Sequence, residues 1–136
     1  MTLHLSIITP NQVALDTEVE EVYLPGVTGE IGILEDHTPL ISVVEPGEVR
    51  YTDMNDKEHQ LVIGSGFVQV ENDQVVVVVD IALEADAIDV GNVEKAIEDA
   101  KKALSSAKQL SAEESARFEA NMAKNIAILN FKRKRM

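Results

Sequence analysis

The sequence predicts an α+β protein in which an all-β sandwich of about ten short strands is followed by an antiparallel two-helix hairpin. Turn-forming residues recur about every 8–12 positions through roughly the first 85 residues, which is typical of a sandwich or small barrel. The segments between these turns alternate apolar and polar residues, whereas the last third has no proline and repeats apolar residues at helical spacing. We therefore assign residues 1–86 to a β domain and residues 87–136 to a helical domain.

The strands are predicted from alternation and the turns from Gly, Pro, Asn and Asp. In the first strand, from Thr2 to Thr9, the side chains of Leu3, Leu5 and Ile7 share one face. Further extended segments are expected at 13–15, 19–24, 40–44, 48–53, 59–63, 67–71 and 74–82. Turns are expected at Pro10-Asn11, Pro46-Gly47, Asn55-Asp56, Gly64-Ser65-Gly66 and Asn72-Asp73.

Three of these segments carry more specific predictions. The apolar run from Leu40 to Val44 is interpreted as buried, and alternation leaves open whether Phe67 or Val68 points inward. Five consecutive valines in 74–82 suit a central strand that is covered on both faces. Gly64-Ser65-Gly66 lacks the Lys-Ser/Thr and the helix of a phosphate loop, so we interpret it as a hairpin turn.

The composition favours two helices from Asp89 onward. Asp89 is the expected N-cap of the first helix, and a capping box at Ser111 and Glu114 begins the second. The first helix has a stripe of small apolar residues at Val93, Ala96, Ile97, Ala100, Ala103, Leu104 and Ala107. The second has an apolar stripe at Phe118, Met122, Ile126 and Leu129. Such narrow stripes indicate that the hairpin must dock on the β domain or on a partner.

Composition and charge exclude several classes of protein. The chain has no cysteine, no apolar run of about 18 residues and no charged-then-apolar leader, so we expect a soluble protein without an export signal or a membrane-inserted segment. Residues 1–86 carry 17 acidic and 2 basic residues, a balance of −15, whereas residues 87–136 carry 7 and 10, a balance of +3. The acidic body argues against nucleic acid as a partner, and the basic tail suits an acidic protein surface.

Catalytic and metal chemistry find little support. Glu35, Asp36 and His37 are consecutive, so they cannot converge on an extended strand, and His59 is distant in sequence. No Gly-x-Ser-x-Gly nucleophile elbow is present. We therefore expect a protein that is not an enzyme by itself and that holds no metal.

The stretch from Leu24 to Ile41 is the most distinctive part of the chain. It contains Gly29-Glu30-Ile31-Gly32-Ile33-Leu34 and His37-Thr38-Pro39-Leu40, and its glycines suit positive φ or close approach of another backbone. Together with the opening strand, Pro46-Gly47-Glu48-Val49-Arg50 and Gly64-Ser65-Gly66-Phe67, this stretch closely resembles the epsilon subunit of F-type ATP synthases. The resemblance covers essentially the whole chain and agrees with the predicted sandwich and hairpin.

The resemblance implies a non-catalytic central-stalk subunit that contacts the gamma subunit and the c-ring and helps to couple proton or sodium flow to ATP synthesis. In many members the hairpin alternates between a compact form and an extended form that contacts the beta subunit and inhibits ATP hydrolysis. The implied location is peripheral, at the cytoplasmic face of a bacterial inner membrane, although plastid members look similar.

The resemblance also implies roles for individual residues. Gly29, Glu30, Ile31 and Gly32 match a turn that faces the c-ring loops, and His37 falls in a region packed near gamma. In the extended form, the basic residues of the helices would face an acidic part of the beta subunit. These residues are Lys101, Lys102, Lys108, Arg117, Lys124, Lys132, Arg133, Lys134 and Arg135. From the residues alone, the last four equally suit cations that offset a helix macrodipole.

Some bacterial members bind ATP through Ile/Leu-Asp-x-x-Arg-Ala at the start of the first helix. Here Ile88 and Asp89 are present, but Asn92 replaces the arginine and Val93 the alanine. The cationic partner of a phosphate is therefore lost, and we expect neither ATP nor another cofactor to bind.

Two other readings compete. A free-standing β-sandwich module with an oligomerising helical tail could bind carbohydrate or peptide, but aromatic residues make up only 4% of the chain and no secretion signal is present. A small metal hydrolase is disfavoured because the expected ligand spacing is absent.

Overall fold

The computed structural model describes residues 2–106 and 111–134. In this part of the chain the strands are β1 (Leu3–Thr9), β2 (Gln12–Gly26), β3 (Gly29–Leu34), β4 (Leu40–Val44), β5 (Gly47–Asp53), β6 (Glu58–Ile63), β7 (Gly66–Glu71), β8 (Gln74–Val79) and β9 (Ala82–Leu83). A 3-10 turn at Ala85–Ala87 leads to the helices α1 (Val90–Ser106) and α2 (Ala112–Arg133). The predicted succession of a β-sandwich and two helices is confirmed.

The strands form one hydrogen-bonded sheet that folds over into two layers. One layer holds β1, β8, β7 and β4 in that order, and the other holds β3, β2, β5, β6 and β9. The long strand β2 belongs to both layers, because its first half pairs with β1 and its second half with β3 and β5. β1 and β8 run parallel to each other, whereas β7 and β8 form an antiparallel hairpin.

The core between the layers is built from alternating aliphatic side chains, as the sequence predicts. Leu3, Leu5 and Ile7 of β1 are fully buried. In β8 the side chains of Val75 and Val77 are also fully buried, and the strand is central, since β1 and β7 flank it. The expectation that both faces of this valine run are covered is wrong, because the intervening valines are only half-buried.

One further prediction about the strands is wrong, and one open alternative is decided. The run from Leu40 to Val44 is not buried throughout. Val44 is buried, but Ile41 is 75% and Val43 57% exposed. Side chains along β4 alternate between the core and solvent, so one face of the strand is exposed. In β7 the inward residue is Val68, which is fully buried, while Phe67 points outward.

The segment Gly64-Ser65-Gly66 is not a hairpin turn, because β6 and β7 are not paired with each other. It carries the chain from β6 in one layer to β7 in the other. Beside it, at Asp80, the chain crosses back between the layers on its way from β8 to β9. The carboxylate Oδ1 of Asp80 accepts hydrogen bonds from the backbone N–H of Ser65 and of Ile81, each at 2.9 Å. Asp80 therefore ties the two crossings together.

The helices begin as the sequence predicts. The Asp89 carboxylate accepts the N–H of Asn92 at 3.2 Å, and the Ser111 hydroxyl accepts the N–H of Glu114 at 3.1 Å. The antiparallel arrangement places Arg133, at the end of α2, 3.0 Å from Glu94 in the first turns of α1.

The hairpin docks on the β domain through a second apolar cluster, formed by Val62, Ile88, Ile128 and Phe131. The predicted stripe of α2 is therefore wrong at Ile126, which is 40% exposed. Near its C-terminus α2 packs against the β domain as well as α1, so a second face is covered there. The inferred need for docking is met by the chain's own β domain.

We predict that Gly66→Ala destabilises the fold, because an added Cβ would lie 1.8 Å from the backbone oxygen of Val78. The expected loss is about 1–3 kcal/mol or more, as for overpacked core positions, measured by urea unfolding. Gly91→Ala is the matched control, since the nearest atom to its Cβ is 3.4 Å away and alanine favours the helix. An unchanged midpoint for Gly66→Ala would contradict the prediction.

Candidate partner-binding surfaces

The first candidate surface is the β2–β3 turn. Gly29 has a φ of 129°, a conformation that disfavours residues with a side chain, and Gly29 and Glu30 are both exposed. Ile31 and Gly32 follow in β3 and are half-buried. The structure thus brings these four predicted site residues together. His37 is separated from them, because it lies in the loop beyond the other end of β3.

Glu30 belongs to a polar network on the outer face of β3, β2 and β5. Its carboxylate Oε2 lies 2.6 Å from the Nη2 of Arg50, whose guanidinium is 5.1 Å from the centroid of the Tyr23 ring. The Tyr23 hydroxyl donates to Glu21 at 3.0 Å, and the Thr52 hydroxyl donates to the other oxygen of Glu21 at 3.2 Å. The hydrogen bond to Glu30 raises the pKa of Arg50, and the hydrogen bond to Glu21 raises the pKa of Tyr23. The outer face of this layer is therefore charged and ordered.

The second candidate surface is apolar and lies on the outer face of the other layer. Val43 is paired with Phe67, Phe67 with Val78, Val78 with Ile8, and Ile8 with Val13, so one apolar residue from each of five adjacent strands stands in line. We call these five residues the apolar row. Phe67 is 45% exposed, and the highly exposed Ile41 lies beside the row on β4. Large apolar side chains aligned in this way mark an interaction surface rather than ordinary surface scatter.

The sequence reading missed the apolar row. It took Val43 as buried and did not single out Ile8 or Val13. The available signal was that both faces of several neighbouring strands are apolar, but the register that aligns them depends on non-local pairing.

The third group is the set of basic residues on the helices. Four of those in α2 and its C-cap contact the chain itself: Lys124 lies 3.5 Å from Asp80, Lys132 donates to the carbonyl of Ala85 at 2.8 Å, Arg133 pairs with Glu94, and Lys134 lies 3.4 Å from Glu48. Lys102 is 3.8 Å from Glu98 within α1. Lys101 and Arg117 are exposed. Lys108 and Arg135, and with them the apolar Ala107, lie outside the described residues.

The positions of the altered ATP motif form a helix cap. The Asp89 carboxylate is engaged by the backbone N–H and the side-chain amide of Asn92, the latter at 3.1 Å. Ile88 is buried in the docking cluster. An open groove of about 450 Å³ runs along α1, but its lining includes none of these three positions. In this arrangement Asp89 and Asn92 bond to each other.

The acidic and histidine residues do not assemble into a metal site: across 2–106 and 111–134 no three His, Asp or Glu side chains could hold one ion. His59 instead lies 2.7 Å from Asp53, and this hydrogen bond lowers the pKa of the Asp53 carboxyl. In the same ranges no helix has the length and apolar character to cross a bilayer.

Comparison with known proteins identifies the family. A family model described as the β-sandwich domain of the ATP synthase delta/epsilon chain matches residues 2–85. The chain belongs to the ATP synthase delta/epsilon family. As a chain of the epsilon type it is a subunit of ATP synthase and is not the catalyst by itself.

Individual relatives agree with this membership and confirm the resemblance seen in the sequence. The ATP synthase epsilon chain of Anaeromyxobacter sp. strain K is 40% identical over 104 residues, which are 76% of this chain and 78% of that one. The chloroplastic ATP synthase epsilon chain of Pyropia yezoensis is 39% identical over 108 residues, 79% of each chain. A chain in the mitochondrial ATP synthase of Euglena gracilis has a TM-score of 0.77 at 20% identity, covering 96% of this chain and 81% of that one. That last likeness supports the fold.

We predict that this epsilon-family chain does not bind ATP, because Asn92 cannot replace a cation at a phosphate. Binding to the folded state would raise its melting temperature, so we expect a change of less than about 1 °C at millimolar ATP, measured by differential scanning fluorimetry. Inorganic phosphate at matched ionic strength is the control for salt effects. A rise of several degrees with ATP alone would contradict the prediction.

Proposed function

We propose that this chain is the central-stalk subunit that joins the gamma subunit to the c-ring and helps to couple proton or sodium flow to ATP synthesis. Membership of the epsilon family supports this role, as do structural neighbours described as parts of F1/c-ring and central-stalk/c-ring assemblies. In this proposal residues 1–86 make the stalk contacts and residues 87–136 regulate. The protein then works at the membrane periphery, on the cytoplasmic face of a bacterial inner membrane.

The apolar row is the observation that carries the contact with gamma. The described residues leave it uncovered, whereas the hairpin already covers part of the opposite layer, at Val62. An apolar face on a rigid sheet suits a lasting subunit interface, whose core is depleted in charge. His37 lies in the loop that leads into β4, the strand that carries Ile41 and Val43, so it is placed at the border of this face.

The β2–β3 turn is the proposed contact with the c-ring. Its exposed residues are Val27, Thr28, Gly29 and Glu30, and Glu30 supplies a carboxylate that Arg50 holds in place. A tip that carries a carboxylate suits a second, smaller contact with the loops of another subunit, because charge complementarity sets orientation at such contacts. The apolar row and this tip lie on opposite layers, so one rigid domain can bridge two partners.

We further propose that the helical domain can slow ATP hydrolysis by leaving the β domain and contacting the beta subunit. Lys124, Lys132 and Lys134 all hold α2 to groups of the β domain or the linker after it. Two of these contacts are partly exposed ion pairs at 3.5 and 3.4 Å, Lys124–Asp80 and Lys134–Glu48. Surface ion pairs contribute about 1 kcal/mol or less each, so an acidic partner could compete for these two lysines. The docked hairpin would then be the compact, non-inhibiting form.

The contact with gamma is tested by making the apolar row polar. We predict that Val43→Ser together with Phe67→Ser weakens binding to an isolated gamma subunit by at least about tenfold, because hot-spot residues carry most of the affinity. Since both side chains are exposed, the melting temperature should stay close to that of the parent. Binding is measured by isothermal titration calorimetry.

Val27→Ser is the matched control for an exposed valine, because Val27 is 60% exposed, close to the 57% of Val43, but lies at the β2–β3 turn. Undiminished binding by the double variant would reject the apolar row as the gamma contact.

Regulation is tested on a catalytic complex stripped of its epsilon subunit. We predict that the full chain and a chain ending at Ala87 both bind, but that only the full chain slows ATP hydrolysis, measured in a coupled ATPase assay. Binding of each is checked separately by gel filtration. If both bind and neither inhibits, the inhibitory role is rejected and the coupling role stands; if neither binds, the stalk role is rejected.

A further inference from the structure

We propose that Arg50 is a positioning residue that fixes the orientation of the Glu30 carboxylate at the β2–β3 turn, and that the Tyr23 ring holds Arg50 by packing against its guanidinium. This inference rests on the proposed function of that turn as the contact with the c-ring. It assigns to the turn a binding partner of stated chemistry: a polar loop that offers a cation or N–H donors to a carboxylate held in one place.

The ion pair between Arg50 and Glu30 reaches across an intervening strand. Arg50 is opposite Tyr23 on one side of β2, and Glu30 is opposite Pro25 on the other side. The 2.6 Å contact between Nη2 and Oε2 therefore passes over the outer face of β2 and joins β5 to β3. It links the exposed tip of the turn to the paired strand β5, which is hydrogen-bonded on both of its sides.

Arg50 is itself held by the Tyr23 ring. The guanidinium lies 5.1 Å from the ring centroid, within the range of a cation–π contact. The hydrogen bond from the Tyr23 hydroxyl to Glu21 holds the far end of the ring at this place on the sheet, and Glu21 accepts a second hydrogen bond from Thr52. The Tyr23 side chain that packs against Arg50 is thus held by the backbone of β2 at one end and by Glu21 at the other.

Gly32 makes room for this support. A Cβ at Gly32 would lie 2.9 Å from the Cε1 of Tyr23, so the ring can lie against β3 only because residue 32 has no side chain. Gly32 does not have a positive φ, unlike Gly29. The two glycines of the Gly29-Glu30-Ile31-Gly32 segment therefore serve different purposes: one forms the turn and the other accommodates Tyr23.

The network contributes orientation more than stability. Both Arg50 and Glu30 keep a large exposed fraction, and ion pairs at such positions add little to the free energy of unfolding. A glutamate held in one rotamer nevertheless loses less conformational entropy when a partner binds it. The effect of Arg50 should therefore appear in binding rather than in thermal stability.

The first measurement is the order of the Glu30 side chain in the full-length chain, determined by ¹³C NMR relaxation of its methylene groups. In Arg50→Gln we expect Glu30 to become more mobile, and in Arg50→Lys we expect an intermediate effect, because lysine keeps the charge but not the planar stacking. Lys57→Gln is the control for charge, since Lys57 is the only other basic residue in residues 1–86. Unchanged order in Arg50→Gln would overturn the positioning role.

The second measurement is the affinity of the complex of this chain with gamma for a detergent-solubilised c-ring. We expect Arg50→Gln to weaken binding about three- to tenfold, the size of effect typical of two residues that act together. When Glu30→Gln is already present, we expect Arg50→Gln to cause no further loss, because the residue that Arg50 positions is no longer there. Equal losses in both backgrounds would mean that Arg50 contacts the c-ring directly, and would overturn the positioning role. If Glu30→Gln alone leaves the affinity unchanged, the proposed c-ring contact fails, and the NMR measurement decides the positioning role by itself.

Discussion

The architecture depends on one long strand that serves two layers. β2 pairs with β1 through its first half and with β3 and β5 through its second. Strict alternation from Val19 would place Glu21 and Tyr23 in the core and leave Val22 and Leu24 outside it, whereas Val19, Val22 and Leu24 are all buried. The register shifts beside Glu20, between Val19 and Glu21, and this extra residue lets Val19 and Val22 both point inward. The sandwich closes around that irregularity.

The two layers present outer faces of different character, and each of these faces carries one of the candidate binding surfaces. The layer of β1, β8, β7 and β4 exposes the apolar row, whereas the layer of β3, β2 and β5 exposes the network of Glu30, Arg50 and Tyr23. In the described residues, the hairpin covers the second layer near Val62 and reaches Glu48 of β5 through Lys134. Asp80 stands where these regions meet, because it bonds to both crossings between the layers and to Lys124 of α2.

Local patterns in the sequence predicted what local physics decides. Alternation found the buried face of β1, and side-chain oxygens at Asp89 and Ser111 marked the helix starts. The failures concern partners distant in the chain. Ile41 and Val43 are apolar like core residues, so their pattern alone cannot tell an internal core from an exposed apolar face. Gly64-Ser65-Gly66 has the composition of a hairpin turn, but β6 pairs with β9 rather than with β7.

Dependence on partners distant in the chain also explains why other features of the candidate site and the hairpin were not predicted. Glu30 and Arg50 both lie in motifs of the resemblance, but their pairing could not be predicted, since the two residues are 20 positions apart and meet only across β2. The burial of Ile128 in place of Ile126 likewise follows from a third element, the β domain, that helical periodicity does not include.

The parallel pairing of β1 with β8 has a consequence for how the protein is made. Ile8 and Val78 are neighbours in the sheet although 70 residues separate them in the chain. Contacts of such long range close late and slowly, because the entropy of a long loop must be lost first. During synthesis the ribosome therefore releases most of the β domain before its first strand can be fully paired. Until then β1 and the nascent valine-rich strand are unprotected edges, which favours interception by chaperones and early capture by a partner subunit.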